Sequence, residues 1–355
     1  MTPPGPRPAR PLVPSFEGDS TTVGAWLDAQ VELLLDAHRL GERVAGQVLQ
    51  GSGVVRGTAE EALAADLTPD TARHAIAQDH RYRDWSAARE HAREPIDLRF
   101  EAAADAIQWG ELDVLRDLLD SRPGLVHARG PFPHQATLLH YVAANGIEVE
   151  RQLQSPANAT QIMRLLLERG AEPDALCTIY SAHDTTLALL VSSAIPATAG
   201  VQAALVEELC RGGADVNGLD DDGIPLWTAI SFGYTDAAEA LARCGARVDN
   251  LVFSAALGDL EGVRRHFEPT GEPPPRQALS AERMGIDGPM LEAGRLVDYA
   301  LIHAALHSRR DVVAFLLDKG PDLSFREPRW GATALSAARW GGDPEIVELL
   351  GGTPQ

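Results

Sequence analysis

His183 and Asp184 are adjacent in the sequence, and an imidazole beside a carboxylate can bind a metal ion or pass a proton. The same pair, directly ahead of Thr185 and Thr186, also fits an Asx-type turn or helix cap with an exposed histidine. Cys177, Cys210 and Cys244 show no metal-ligand spacing, and an odd number of thiols cannot pair off completely. They are read as reduced, with Cys210 and Cys244 acting as small buried hydrophobes at helix ends. No His-Glu-x-x-His, Gly-x-Ser-x-Gly, glycine-rich phosphate loop or Cys-x-x-Cys occurs. The expectation is therefore no metal and no cofactor, and catalysis would need groups distant in sequence to converge in space.

The elements that would position such groups are repeated. Leu165 to Asp174, Leu209 to Asn217, Leu241 to Asp249 and Leu316 to Asp322 each bring an apolar helical face to a glycine: Gly170, Gly213, Gly245 and Gly320. Glycine closes a helix at positive φ without steric cost. A stack of such helical pairs buries its apolar faces against its neighbours and builds an open groove, so binding is expected over enzymatic chemistry. The 355 residues are compatible with one such stack, because each unit packs only on the next.

With 51 acidic against 31 basic side chains the formal charge is −20, which opposes approach to nucleic-acid phosphates and anionic lipid. No run approaches the roughly 18 apolar residues of a membrane span, and Met1 to Pro14 has prolines where a signal peptide has its core. A cytoplasmic protein is expected, with neither nucleic acid nor membrane as partner.

Residues 1–18 hold six prolines and are read as a disordered tail, followed by a helical bundle over 19–96. Ser20 to Thr22 cap an amphipathic helix from Val23, Thr68 and Pro69 start another, and Asp84 or Ser86 caps a third carrying Trp85. This bundle is expected to cover the first repeat.

From residue 98 onward the chain resembles the ankyrin family. Thr137-Leu138-Leu139-His140-Tyr141-Val142-Ala143 with Asn145-Gly146 matches the start of a repeat, Ile224 to Ala229 begins another, and Gly213 to Gly245 spans 32 residues, close to the roughly 33-residue period of that family. Ala75 to Trp85 similarly resembles a small helical module found ahead of bacterial ankyrin repeats, with no activity to carry over. The resemblance implies an all-α fold, an ankyrin-repeat solenoid of about seven helix-turn-helix units over 97–355, with inserts at 147–160, 194–200 and 268–295. The inserts are read as loops, two of them enlarging one edge of the stack.

In that family the histidine aligned with His140 joins a buried hydrogen-bond network between repeats. Residues just before the glycine ending each first helix face the concave groove, which here selects Gln108, Trp109, Asn145, Ser193, Phe232, Leu257, His307 and Trp340, with Tyr141 nearby. The expected function is to hold a protein or peptide partner there and at the hairpin tips, the aromatics serving as anchors. Alternatively, loops or the amino-terminal bundle cover these side chains. A second functional reading places a small-molecule or catalytic site near the inserts at 147–160 and 194–200, using His140, His183 and Asp184 with Tyr141 and Asn145.

Overall fold

A computed structural model describes residues 12–180, 184–268 and 293–353. The fold is all-α, with one two-stranded ribbon among the described residues. The chain divides into two units, Met1–Val201 and Gln202–Gln355, so the division falls inside the segment read as one array. Among the described residues no helix is long and apolar enough to cross a membrane.

The first unit opens with the expected helices. Thr22 caps Val23–Arg39 by accepting from the Ala25 N–H, Thr68 caps Pro69–Asp79 with proline in its first turn, and Asp84 caps Trp85–Glu90. Each cap satisfies a backbone N–H that the helix leaves without a partner. Arg43–Gly51 and Ala59–Ala64 complete the bundle. Ser20–Thr22 pairs antiparallel with Pro95–Asp97, which closes the bundle just before the first repeat helix, Leu98–Trp109. Two three-residue strands carry too little alternation to be read from sequence.

Residues 12–18, read from the sequence as part of the tail, pack on this bundle. Leu12 is buried, its carbonyl accepts from Gln30 Nε2 at 3.2 Å, and Phe16 stacks on Trp26 with centroids 6.0 Å apart. Residues 1–11 lie outside the described part. Helix pairs follow: Leu98–Trp109 with Leu112–Ser121, then Leu138–Val142 with Ala159–Glu168, then Thr186–Leu190 and the short Ala194–Thr198, which occupies the second insert.

The first insert departs most from expectation. Residues 147–160 were read as a loop at the edge, but Val149–Gln152 forms a 3-10 turn whose Glu148, Glu150 and Arg151 are buried. Val149 and Leu153 pack into the apolar core of the amino-terminal bundle, together with Phe132. The insert is a core element of the first unit.

In the second unit Gln202–Arg211 precedes the pairs Ile224–Ser231 and Thr235–Arg243, Leu251–Leu257 and Leu260–Arg265, Ala293–Leu306 and Arg310–Leu317, and Ala334–Gly341 and Pro344–Leu349. Gly213 and Gly245 have φ of +95° and +97°, a region strained for any residue with a Cβ. Ala293–Leu306 starts two turns ahead of the Ala300 at which sequence reading began that unit. The rest of the third insert, 269–292, lies outside the described residues.

Candidate functional site

Of the residues nominated for chemistry, His140 and Asp184 have structural hydrogen-bond partners. His140 is fully buried: its Nδ1 accepts from the Thr137 N–H at 3.0 Å, and its Nε2 donates to the Ala175 carbonyl at 3.0 Å. Burial lowers its pKa to about 4, so the ring is a neutral strut between consecutive helix pairs. Asp184 Oδ2 accepts from the N–H groups of Ile179 and Tyr180, five and four residues before it, at 3.0 and 2.8 Å, which closes the preceding loop back on itself in place of an Asx-type turn, while Thr185 caps the following helix. His183 lies outside the described residues. No group of three or more His, Cys, Asp or Glu is arranged to hold a metal among the described residues.

Four groove candidates are buried, which removes them from a partner's reach. Gln108 donates to the Glu150 carbonyl, and Tyr141 donates to Glu148 Oε1 at 3.3 Å. Ser193 donates to the Ala144 carbonyl at 3.0 Å. His307 donates from Nε2 to the Ile230 carbonyl at 2.9 Å, with Nδ1 facing Thr235 Oγ1 at 2.7 Å. The same position in each repeat faces inward or outward according to what packs over it, a dependence that register alone omits. Asn145 is half-buried, and its amide donates to the Leu189 carbonyl and to Ser192 Oγ at 2.8 and 2.9 Å. Trp109 and Leu257 are half-buried.

Beside the first insert, among the described residues, there is a small cavity. The cavity lined by Gln108, Tyr141, Gln154, Ser155 and Pro156 measures ≈10 Å³, room for about one water against the roughly 300 Å³ or more of a ligand pocket.

Beneath it lies a buried ionic cluster that sequence reading missed. Arg151 pairs with Glu101 at 2.6 Å and Asp105 at 2.9 Å, and its guanidinium sits 5.9 Å from the Trp26 ring centre and 5.7 Å from that of Tyr141. Glu148 accepts from His134 Nε2 at 3.1 Å, Gln30 donates to Glu150 Oε1 at 2.9 Å, and the Val149 N–H donates to Asp79 Oδ1 at 2.9 Å. His80 donates from Nε2 to Gln30 Oε1 at 2.5 Å.

One guanidinium cannot neutralise all these carboxyls, and burial raises the pKa of three of them. Burial, reinforced by the negative Glu148, pushes Asp79 up to about 7. Burial pushes Glu101 up to about 7 despite its ion pair with Arg151, and raises Glu150 well above the usual carboxylate range. At Glu148 burial alone would raise the pKa, but Arg151 and the His134 hydrogen bond outweigh it and leave the carboxyl ionised at about 2. Burial lowers His80 to about 3. The cluster therefore centres the ionised Glu148 and the Arg151 guanidinium among carboxyls that burial makes harder to ionise, Asp79, Glu101 and Glu150, a closed arrangement that fastens the insert to the bundle. Its only sequence trace is the Glu-Val-Glu-Arg run at 148–151, indistinguishable there from a solvated loop.

The open surface lies in the second unit. Phe232, at the end of Ile224–Ser231, is half-buried and stacks on Tyr234 with centroids 6.0 Å apart. Trp330 meets Phe232 edge to face at 5.6 Å, while Arg329 stands 4.6 Å from the Phe232 ring centre and 5.2 Å from that of Trp330. The loop presenting them is built by the buried Glu327, whose carboxylate accepts from the N–H groups of Arg329, Trp330 and Ala332 at 2.8, 2.6 and 3.3 Å. Trp330 Nε1 donates to the Ser231 carbonyl at 3.0 Å, so its indole is pinned by its polar edge while 60% of the residue stays exposed. Trp340 is 82% exposed.

The helix ends bearing Phe232, Leu306 and Trp340 are neighbours. Gly233 lies against the Leu306 side chain, and Gly341 lies so close to the Leu306 carbonyl that a Cβ there would come within 2.5 Å of the oxygen. Trp330 and Arg329 are absent from the register-based candidates because they come from a hairpin loop, whose conformation depends on Glu327.

Charge distinguishes this face. Elsewhere in the unit arginines meet carboxylates, as in Arg243 with Glu207 at 2.9 Å, Arg247 with Asp221 at 2.6 Å and Arg310 with Asp343 at 2.7 Å. Among the described residues no carboxylate is paired with the exposed Arg326, Arg329 or Arg339. Arg326 donates to the Gly331 carbonyl at 2.9 Å and Arg329 to Ser231 Oγ at 3.1 Å, both neutral acceptors.

The class defined by these observations is an all-helical protein built from repeated helical pairs. Among solved structures the chain is similar to the human ASB11 ankyrin repeat domain, 18% identical with a TM-score of 0.37, over 71% of this chain and 99% of that domain. No family model matches the chain. No curated protein matches it.

Proposed function

We propose that this is a binding protein that holds an acidic segment of a protein partner on the Phe232, Trp330 and Trp340 face of its second unit. The observation carrying this reading is the pair of exposed tryptophans set among arginines without carboxylate partners, in a chain of net charge −20. Exposed indoles supply anchors that lose little conformational freedom on binding, and the guanidinium groups offer paired donors to carboxylates. The Glu327 turn holds the Trp330 loop in shape before a partner arrives, which reduces the ordering cost of association.

A displayed library of random peptides tests the proposal. Selection on the full chain should enrich sequences rich in Asp and Glu, and the enriched peptides should lose at least tenfold in affinity for a Trp330→Ala, Trp340→Ala double variant. Enrichment without acidic bias, or peptides that bind the double variant equally well, would reject this face as the site.

A further inference from the structure

The two remaining thiols of the second unit meet across consecutive helical pairs. Cys210 lies in Gln202–Arg211, and Cys244 is the C-cap of Thr235–Arg243. The Cys210 and Cys244 side chains are in hydrogen-bond contact. Independent contacts fix the same helix faces together: Arg243, next to Cys244, reaches Glu207, three residues before Cys210, at 2.9 Å from Nη2 and 3.3 Å from Nε. Both cysteines are half-buried, which leaves room for a small reagent, whereas Cys177 is buried in the first unit with its thiol donating to the Asp184 carbonyl at 3.2 Å.

We infer that Cys210 and Cys244 are a modification site, a dithiol that closes into a reversible disulfide linking two consecutive helical pairs when a low-molecular-weight disulfide is the oxidant. The Cys244 sulfur attacks first as thiolate, forming a mixed disulfide and expelling one thiolate of the reagent. The Cys210 sulfur then attacks the Cys244 sulfur of that mixed disulfide, forming the Cys210–Cys244 bond and expelling the second half of the reagent. The two protons lost by the cysteines end on the two thiols released, so the protein dithiol is oxidised by two electrons and the reagent reduced by two. Burial, and then the neighbouring sulfur, raise the Cys210 thiol above its ordinary value, in keeping with its acting second.

The test exposes the folded full chain to oxidised glutathione, then blocks free thiols and maps peptides by mass spectrometry. The expected product has lost the mass of two hydrogen atoms, joins the peptides of Cys210 and Cys244 within one chain, retains Cys177 as a free thiol and returns to the starting mass with dithiothreitol. In Cys210→Ser the reaction should stop at a glutathione adduct on Cys244. A stable adduct on Cys244 in the wild-type chain, disulfides between chains, or three unreacted thiols would each overturn the inference. Circular dichroism before and after treatment confirms that the thiols reacted in the folded protein.

Discussion

At the scale of single residues, Trp330 and Trp340 should behave unlike Leu226. Replacing either tryptophan by alanine is expected to weaken binding of a selected partner by about 2 kcal/mol while leaving the melting midpoint unchanged. Leu226→Ala should instead cost roughly 2–5 kcal/mol of stability through the cavity it leaves, since Leu226 is 1% exposed. Calorimetric titration and thermal melts of the three variants check both statements. Titrating residues separate in the same way. His303 is buried between Trp227 and Tyr299, neither ring nitrogen has a hydrogen-bond partner, and burial lowers it to about 3. Its unfolded form takes up a proton near 6.5 and its folded form does not, so its contribution is complete above that value and is lost as pH falls towards 3. His303→Leu should therefore flatten the acid side of the melting curve against pH. Asp79 has the opposite sign: its folded pKa is raised to about 7 from 3.8, so its contribution is present below the lower value and lost as pH rises through the higher. Asp79→Asn is expected to stabilise the chain at pH 8 relative to wild type and to lose that advantage towards pH 4. A midpoint difference independent of pH would show that Asp79 ionises normally.

At the scale of elements, local signals were legible and tertiary ones were not. The sequence places caps at Ser20 to Thr22, at Thr68 and at Asp84 or Ser86, and Thr22, Thr68 and Asp84 are the caps, because capping involves atoms three residues apart. The glycines closing the repeats were also legible, since positive φ strains any residue with a Cβ and so favours glycine. Gly213→Val or Gly245→Val should cost about 1–2 kcal/mol from backbone strain alone, because a Cβ at either position meets no atom within 4 Å. An unaltered denaturation midpoint would contradict that. The insert was illegible for the converse reason: outside the insert, the partners of Glu148, Glu150 and Arg151 lie 7 to 120 residues away, most of them beyond any local pattern. The groove register failed at Gln108, Ser193 and His307, and the neighbouring Tyr141 is buried too, for a related reason, since each is covered by hydrogen-bonded neighbours that the repeat pattern does not encode. Arg151→Ala should destabilise the first unit by about 3–5 kcal/mol by leaving buried carboxyls without their cation, measurable by urea denaturation.

At the scale of the whole molecule, charge governs what approaches. A chain of −20 is expected to show no association with duplex DNA at physiological salt in a gel-shift assay. The same net charge repels an acidic partner at long range while the arginines of the tryptophan face attract it at contact, so raising salt should change the rate of association less than it speeds dissociation. The buried insert has a further consequence, for synthesis. Gln30 reaches Glu150 across 120 residues, and the helices before residue 100 share their polar centre with 148–151. A nascent chain emerging from the ribosome therefore carries an unfinished amino-terminal bundle until the insert has followed it out, with Trp26 and Gln30 awaiting their partners. Chains halted before residue 148 should be captured by chaperones and cut by protease, whereas chains released beyond the helix Ala159–Glu168 should resist both.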